Sequence, residues 1–432
     1  MGHILLKGCV ATKVRQQGIS GGAGQLDLRK LDAKRRRWLA LRSRNEWKRR
    51  RRVRNEIDWG PFKRPPSARH SARRVRIWDG GDVEWAIAAA AGQRPPSPMC
   101  FDDNRIGTYA FFEALRQNFQ AAIRKKVGFV YRPERSGAMP RIATYFDFGR
   151  LDRISTAASV VLAAEYQRVA SLVGVVPPTV NLNKWSPEVY AKLTQLGFFE
   201  ILGIERNVRP VVNGAGATRT MRIIRAQNLD ALATIDEALQ QLGLFLDPTD
   251  NLSDNVFIQF LTALSEAITN VIHHAYSDER LLTDRHIDSL WVAATADRSD
   301  NSLTVVVFDQ GATIPATYPR IERLEKVRRF LQRAISRRTS GHPFKDDGTY
   351  IRAAMRYGGS RTDQRHRGLG LPQMFEALMR IGEGSLSVYS RGGWCKRNHN
   401  GRFTSGALQY SIGGTLVEWS VRLPAETLRY EN

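Results

Sequence analysis

The sequence predicts an α/β protein, and two patterns carry that reading. Between residues 101 and 204, strand-like and capped-helix segments alternate, and beyond residue 221 a long apolar helix is followed by two adjacent strands. A third observation, the distribution of charge, separates a basic amino-terminal arm from these folded parts.

The chain has 432 residues, of which 42% are hydrophobic and 25% charged, a globular rather than a disordered composition. It is long enough for two or three domains. Residues 1–76 hold 23 Lys and Arg against five Asp and Glu, so +18 of the net +24 lies there and the rest of the chain carries only +6. The arm contains "AKRRRWLALRSRNEWKRRRRVRNEIDW", in which Trp38, Trp47 and Trp59 interleave with basic residues. Three readings stay open for it: a solvated tail, a grip on nucleic acid through phosphates and bases, or contact with an anionic membrane or a protein partner. No apolar run approaches the ~20 residues of a membrane-spanning helix. The opening "MGHILLKGCVATKVRQQG" is too briefly apolar for a secretory signal. Cys9, Cys100 and Cys395 are too far apart in sequence for a disulfide framework or a metal pair, so a cytoplasmic location is expected.

The elements follow in order. A flexible arm is expected over 1–78, ending in the linker-like "RPPSARHSARR", and a Pro-rich break follows at Gly92–Pro98. The first α/β domain is assigned to 79–205. Its helical spacing runs from Tyr109 to Val127, and "RIATYFDFG" (Arg141–Gly149) reads as a strand. "ISTAASVVLAAEYQRVASLV" is a helix capped by Ser155 or Thr156. "TVNLN" is a short strand, and "SPEVYAKLTQLGFFEIL" opens with Ser186 as cap and Pro187 at the first helical position. "NGAGATRT" (Asn213–Thr220) then reads as a joint to a second domain over 213–425. This begins with a strand near Met221–Arg225 and helices over Leu229–Leu242 and Val256–Tyr276. Strands "SLWVAATAD" and "NSLTVVVFD" follow, then a polar, Arg-rich stretch from Ala316 to Arg367. The helix "LGLPQMFEALMRIG" and strands near Ser385–Ser390, Phe403–Gln409 and Thr415–Leu423 complete it.

Four segments of the second domain carry chemistry. In "SEAITNVIHHAY" (Ser265–Tyr276), Glu266, Asn270 and His274 recur every four residues and form a polar stripe on an otherwise apolar helix. The strand "LTVVVF" runs into "DQGATIP", which sets Asp309 at a strand end with Gly311 and Ile314 just beyond. "HRGLGL" (His366–Leu371) is a glycine-rich turn opening a helix, and "GGT" (Gly413–Thr415) precedes the last strand. A carboxylate at a strand end suits the exocyclic amine of adenine. Glycines at 368 and 370 let backbone amides approach phosphate oxygens at a helix N-terminus. Asn270 offers a neutral oxygen to a magnesium ion otherwise held by phosphates and water. Glu266, one turn earlier, suits the general base that orients or deprotonates the nucleophile attacking a γ-phosphate.

"ExxxNxxxHAY", "DxGxxI", "RGLGL" and "GGT", in this order, resemble the Bergerat-fold pattern of the GHKL ATPases over roughly 213–424. The first motif is most similar to that of the anti-sigma-factor serine kinases. The resemblance implies an α/β sandwich with a mixed sheet under helices, binding ATP and Mg2+. It implies Glu266 as base and Asn270 as metal ligand. The nucleotide contacts it implies are Asn270, His274, Asp309, Gly311, Ile314, Gly368, Leu369, Gly370, Leu371 and Thr415. The chain departs from the pattern at the first glycine box, where Ala312 or Thr313 stands in place of a second glycine. The long segment between Asp309 and Gly368 is expected to act as a lid, with Ser360, Arg361, Arg365 and Arg367 as candidate phosphate contacts, the arginines otherwise being solvated loop charges. The preceding unit, "ATYFDFGRLDRISTAASVVLAAEYQRV", resembles a STAS domain, whose phosphoacceptor serine caps a helix. Ser155 and Thr156 occupy that place, although Ile154 stands where that family has Asp.

An orthodox sensor histidine kinase is not expected, because only His3 and His70 precede the pocket and "RHSARR" lacks the acid that usually follows a phosphoacceptor histidine. The leading expectation is a cytoplasmic ATP-binding signalling protein whose nucleotide state governs contacts with a protein partner or a second copy of the chain, with hydrolysis or Ser/Thr phosphotransfer open. The alternatives are a nucleic-acid clamp or defence ATPase using residues 1–76, and a non-catalytic module that only binds ATP.

Overall fold

The segments 290–297 and 302–309 are joined by four residues, enough for a hairpin and too few for a crossover. In the computed structural model they are neighbouring strands of an eight-stranded sheet. The structure describes residues 73–78, 82–87, 93–125, 129–131, 141–142, 145–201, 203, 216–247, 254–276, 287–320, 325–335, 341–358 and 370–423. All of them belong to one unit, 72–432.

The first described elements are strands β1 (Arg73–Trp78) and β2 (Asp82–Ile87), helix α1 (Arg105–Lys125), strands β3 (Val130–Tyr131) and β4 (Arg141–Ile142), and helix α2 (Thr156–Val173). Strand β5 (Thr179–Val180) and helices α3 (Pro187–Gln195) and α4 (Phe198–Ile201) follow. Next come β6 (Thr218–Thr220), β7 (Ile224–Ala226), α5 (Ala231–Leu246), α6 (Asp254–Asn270) with a π turn over Val271–Ala275, β8 (Leu290–Asp297) and β9 (Ser302–Asp309). The rest are α7 (Ile314–Thr317), α8 (Glu325–Ala334), α9 (Asp347–Tyr357), α10 (Gly370–Ile381), β10 (Glu383–Ser390), β11 (Gly393–Asn398), β12 (Phe403–Ala407) and β13 (Thr415–Arg422).

The large sheet runs β12-β11-β10-β13-β9-β8-β6, with β7 also paired to β8. Every pairing in it is antiparallel, where a mixed sheet was expected. The reason is local. The β8–β9, β10–β11 and β11–β12 connections are tight hairpins, helped by left-handed residues at Asn301, Arg391 and Gly401. Arg391 holds its position in the two-residue turn by an ion pair with Asp347 at the start of α9.

Strand alternation gives this sheet two apolar faces. Val292, Val305, Val307, Val417 and Trp419 face a core shared with α5, α6, α9 and α10. Trp291, Ala293, Val306, Phe308 and Leu416 face a second core, built with α1, α2, α3 and α4. The described chain is therefore an α/β protein of three layers. The amino-terminal helices cover the face of the sheet opposite α6.

Several expected elements hold in place. Ser155 is the N-cap of α2 and its Oγ accepts from the Ala158 N–H at 3.1 Å, while Pro187 opens α3. Others shrink or move. The strand expected over 141–149 is β4 plus one residue, Phe146, bridged in parallel to both Gln93 and Thr179. Arg73–Trp78, counted with the arm by charge, is a strand pairing with β2 and β5. The stretch expected as a polar lid contains α9, whose Ile351 and Met355 lie in the core under the sheet. A Cβ on its Gly348 would lie 2.3 Å from the Gly406 carbonyl oxygen, so this helix is seated directly on β12. No helix among the described residues is long and apolar enough to cross a membrane.

Candidate functional site

One row of residues crosses the sheet. Leu290, Asp309, Thr415, Ser390 and Gly393 are directly opposed on β8, β9, β13, β10 and β11. Asp309 shares the strand face of Val307, so it lies on the α6 and α10 side. Its Oδ1 accepts from the Gly311 N–H at 2.9 Å, and its Oδ2 has no hydrogen-bond partner among the described residues. Burial drives its carboxyl pKa up from 3.8 to about 7, and the Gly311 N–H offsets only part of that rise.

The π turn ends in the Ala275 carbonyl, which accepts from the Ala312 N–H at 2.6 Å. A Cβ at Gly311 would sit 2.4 Å from that same oxygen, so only glycine permits the approach. Tyr276 adds a second tie: its hydroxyl donates to the Ser289 carbonyl at 2.7 Å and accepts from the Gln310 N–H at 3.1 Å. Beyond the turn, the Ile314 N–H donates to Ser390 Oγ at 3.0 Å, and the Ser390 and Thr415 hydroxyls share a hydrogen bond of 2.9 Å. A Cβ on Gly414 would strike the Asp309 carbonyl oxygen. The "DxG" and "GGT" segments are thus locked edge to edge.

Asn270 is the last α-helical residue of α6, and the π turn that follows ends the four-residue repeat there. π turns of this kind recur at functional sites. Glu266, one turn earlier, is half-buried. A Cβ on Gly370, the first residue of α10, would lie 2.6 Å from Asn270 Nδ2, so the polar stripe of α6 meets the glycine that opens α10. Leu371 and Ile314 pack against the same two apolar clusters.

The structure therefore draws Asn270, Asp309, Gly311, Ile314, Gly370, Leu371 and Thr415 together through α6, β9, α10 and β13. It does not bring Ser155 and Thr156 there. Thr156 is buried on the opposite face of the sheet, with its hydroxyl 2.7 Å from that of Thr295, and Ser155 is engaged as a cap. Ser360, Arg361, Arg365, Arg367, Gly368 and Leu369 lie outside the described residues, as does the side chain of His274 and the arm over 1–72. Ser390 lies outside the four motif segments, and within them nothing singles out Gln310 or the Ala275 carbonyl; strand register and the π turn reveal all three. No protein-family model matches the chain, and no curated protein matches it.

Two groups could hold a magnesium nucleotide. Asp309 has one carboxylate oxygen without a hydrogen-bond partner among the described residues, and Asn270 carries a neutral amide, whose nitrogen faces Gly370; the space beside Gly311 and Gly370 is taken by the Ala275 carbonyl and by that amide.

Proposed function

We propose that the chain is a GHKL-type adenine-nucleotide-binding protein acting in signalling, with the first α/β region as a STAS-like layer. The single observation supporting this reading is the meeting of Asn270 with Gly370 beside the turn that carries Asp309 and Gly311. Asp309 accepts from the exocyclic amine of adenine. The N-terminus of α10 faces phosphate, and Asn270 holds magnesium. The nucleotide supplies a transferable γ-phosphoryl group, and Glu266 orients the nucleophile that attacks it. Because the sheet stands between α6 and Ser155, any phosphoacceptor belongs to a partner rather than to this cap.

An ATP-binding and γ-phosphate release assay tests the assignment. Asn270→Ala should abolish magnesium-dependent ATP binding. Glu266→Ala should keep binding and lower turnover by about 100-fold or more. Turnover at the wild-type rate in Glu266→Ala would remove the base assignment, and a wild type that binds without turnover would identify a passive nucleotide switch.

A further inference from the structure

The two turns that carry Asp309 and Thr415 are held from the far side of the sheet. Alternation turns Asp309 toward α6 and its neighbour Gln310 toward α2. There the Gln310 side-chain amide donates to Glu165 Oε1 at 3.0 Å. Glu165 and Arg168 are each only 1% exposed and form an ion pair at 2.6 Å, and Arg168 also donates to Gln120 of α1. The second turn is gripped in the same manner. The Ser411 N–H donates to Glu113 Oε2 at 2.8 Å, and Arg116 of the same helix packs so tightly on Gly413 that a Cβ there would strike it.

A buried ion pair is weak evidence of stabilisation, since apolar side chains of similar volume often serve as well. Here the pair ends on the residue adjoining a buried carboxylate that must keep one oxygen free. We propose that Glu165 and Glu113 are positioning residues for the nucleotide site, making the amino-terminal layer part of the binding machinery. This rests on Asp309 being the adenine acceptor. By reciprocity, a partner that shifts α1 or α2 changes ATP affinity, and ATP changes affinity for that partner by the same factor.

Calorimetric titration of the full chain with ATP and magnesium tests the proposal. Gln310→Met preserves volume and removes the amide; it should weaken ATP binding by about ten-fold. Gln167→Met removes the bond from the same helix to Trp291 Nε1 without touching either turn, so its ATP affinity should match wild type even where its melting temperature falls. Glu113→Leu, at a half-buried position, supplies a second reading should Gln310→Met fail to fold, with the same direction expected. ATP affinity within about two-fold of wild type in the folded variants overturns the positioning role. Wild-type protein that binds no ATP overturns the nucleotide reading itself, and this inference with it.

Discussion

Asp309 concentrates the tension between stability and binding. Its carboxyl holds its proton to about pH 7 in the folded chain, because burial penalises the charged form, while in the unfolded chain it ionises near the ordinary 3.8. Between those values the unfolded state sheds a proton that the folded state keeps. Stability from this group is therefore full at acid pH, falls as pH rises toward 7, and stays low above it. Each pH unit of that window is worth about 1.4 kcal/mol. Asp309→Asn removes the effect, so its melting temperature should exceed that of wild type by more at pH 8 than at pH 5. Wild-type ATP affinity should rise through pH 7 as the stronger, ionised acceptor forms. Equal melting gaps at both pH values, from thermal melts of the two proteins, would contradict the buried-acid account.

At the scale of elements, α2 and α6 were both visible before folding. Ser155 marks the start of α2 because a serine hydroxyl can satisfy an otherwise unpaired N–H in the first turn, as the Ala158 bond shows. Ser155→Ala should cost about 1 kcal/mol, read by chemical denaturation, and should leave ATP binding unchanged. A loss of several kcal/mol or of binding would mean that the residue does more than cap. The polar stripe of α6 was equally plain, since Glu266 and Asn270 interrupt an apolar pattern. The π turn after Asn270 was not, because no residue type marks it; its role emerges only from the Ala275 carbonyl meeting Gly311 and Ala312. Strand β11 is not among the strands that the sequence predicts. Its "GWCKRN" carries Lys and Arg, which become strand residues once Arg397 stacks 3.7 Å over Phe375.

At the scale of the molecule, the central sheet is covered on both faces. Trp291, Phe308, Leu416 and Tyr389 are 0–1% exposed beneath the amino-terminal helices. At about 1.5–3 kcal/mol for each large side chain, uncovering these four costs roughly 6–12 kcal/mol. That is comparable to the ~5–15 kcal/mol stability of a whole domain. A fragment comprising residues 206–432 should therefore be insoluble or aggregate, measured by size-exclusion chromatography. A monomeric fragment with a cooperative melt would show that this layer is dispensable.

The sequence by itself determined local matters: that α2, α3, α6 and α10 are helices and β8, β9 and β13 strands, where α2 and α3 begin, and which four segments carry carboxylate, amide and glycines. These follow from periodicity, capping and backbone freedom, properties of neighbours along the chain. Only the tertiary structure decided that Asp309 stands opposite Thr415, that Asn270 meets Gly370, and that Ser155 lies across the sheet from them. Those outcomes depend on strand register and on which face each side chain takes. A shift of one residue in register would turn Asp309 away from α6, and no short motif encodes that choice.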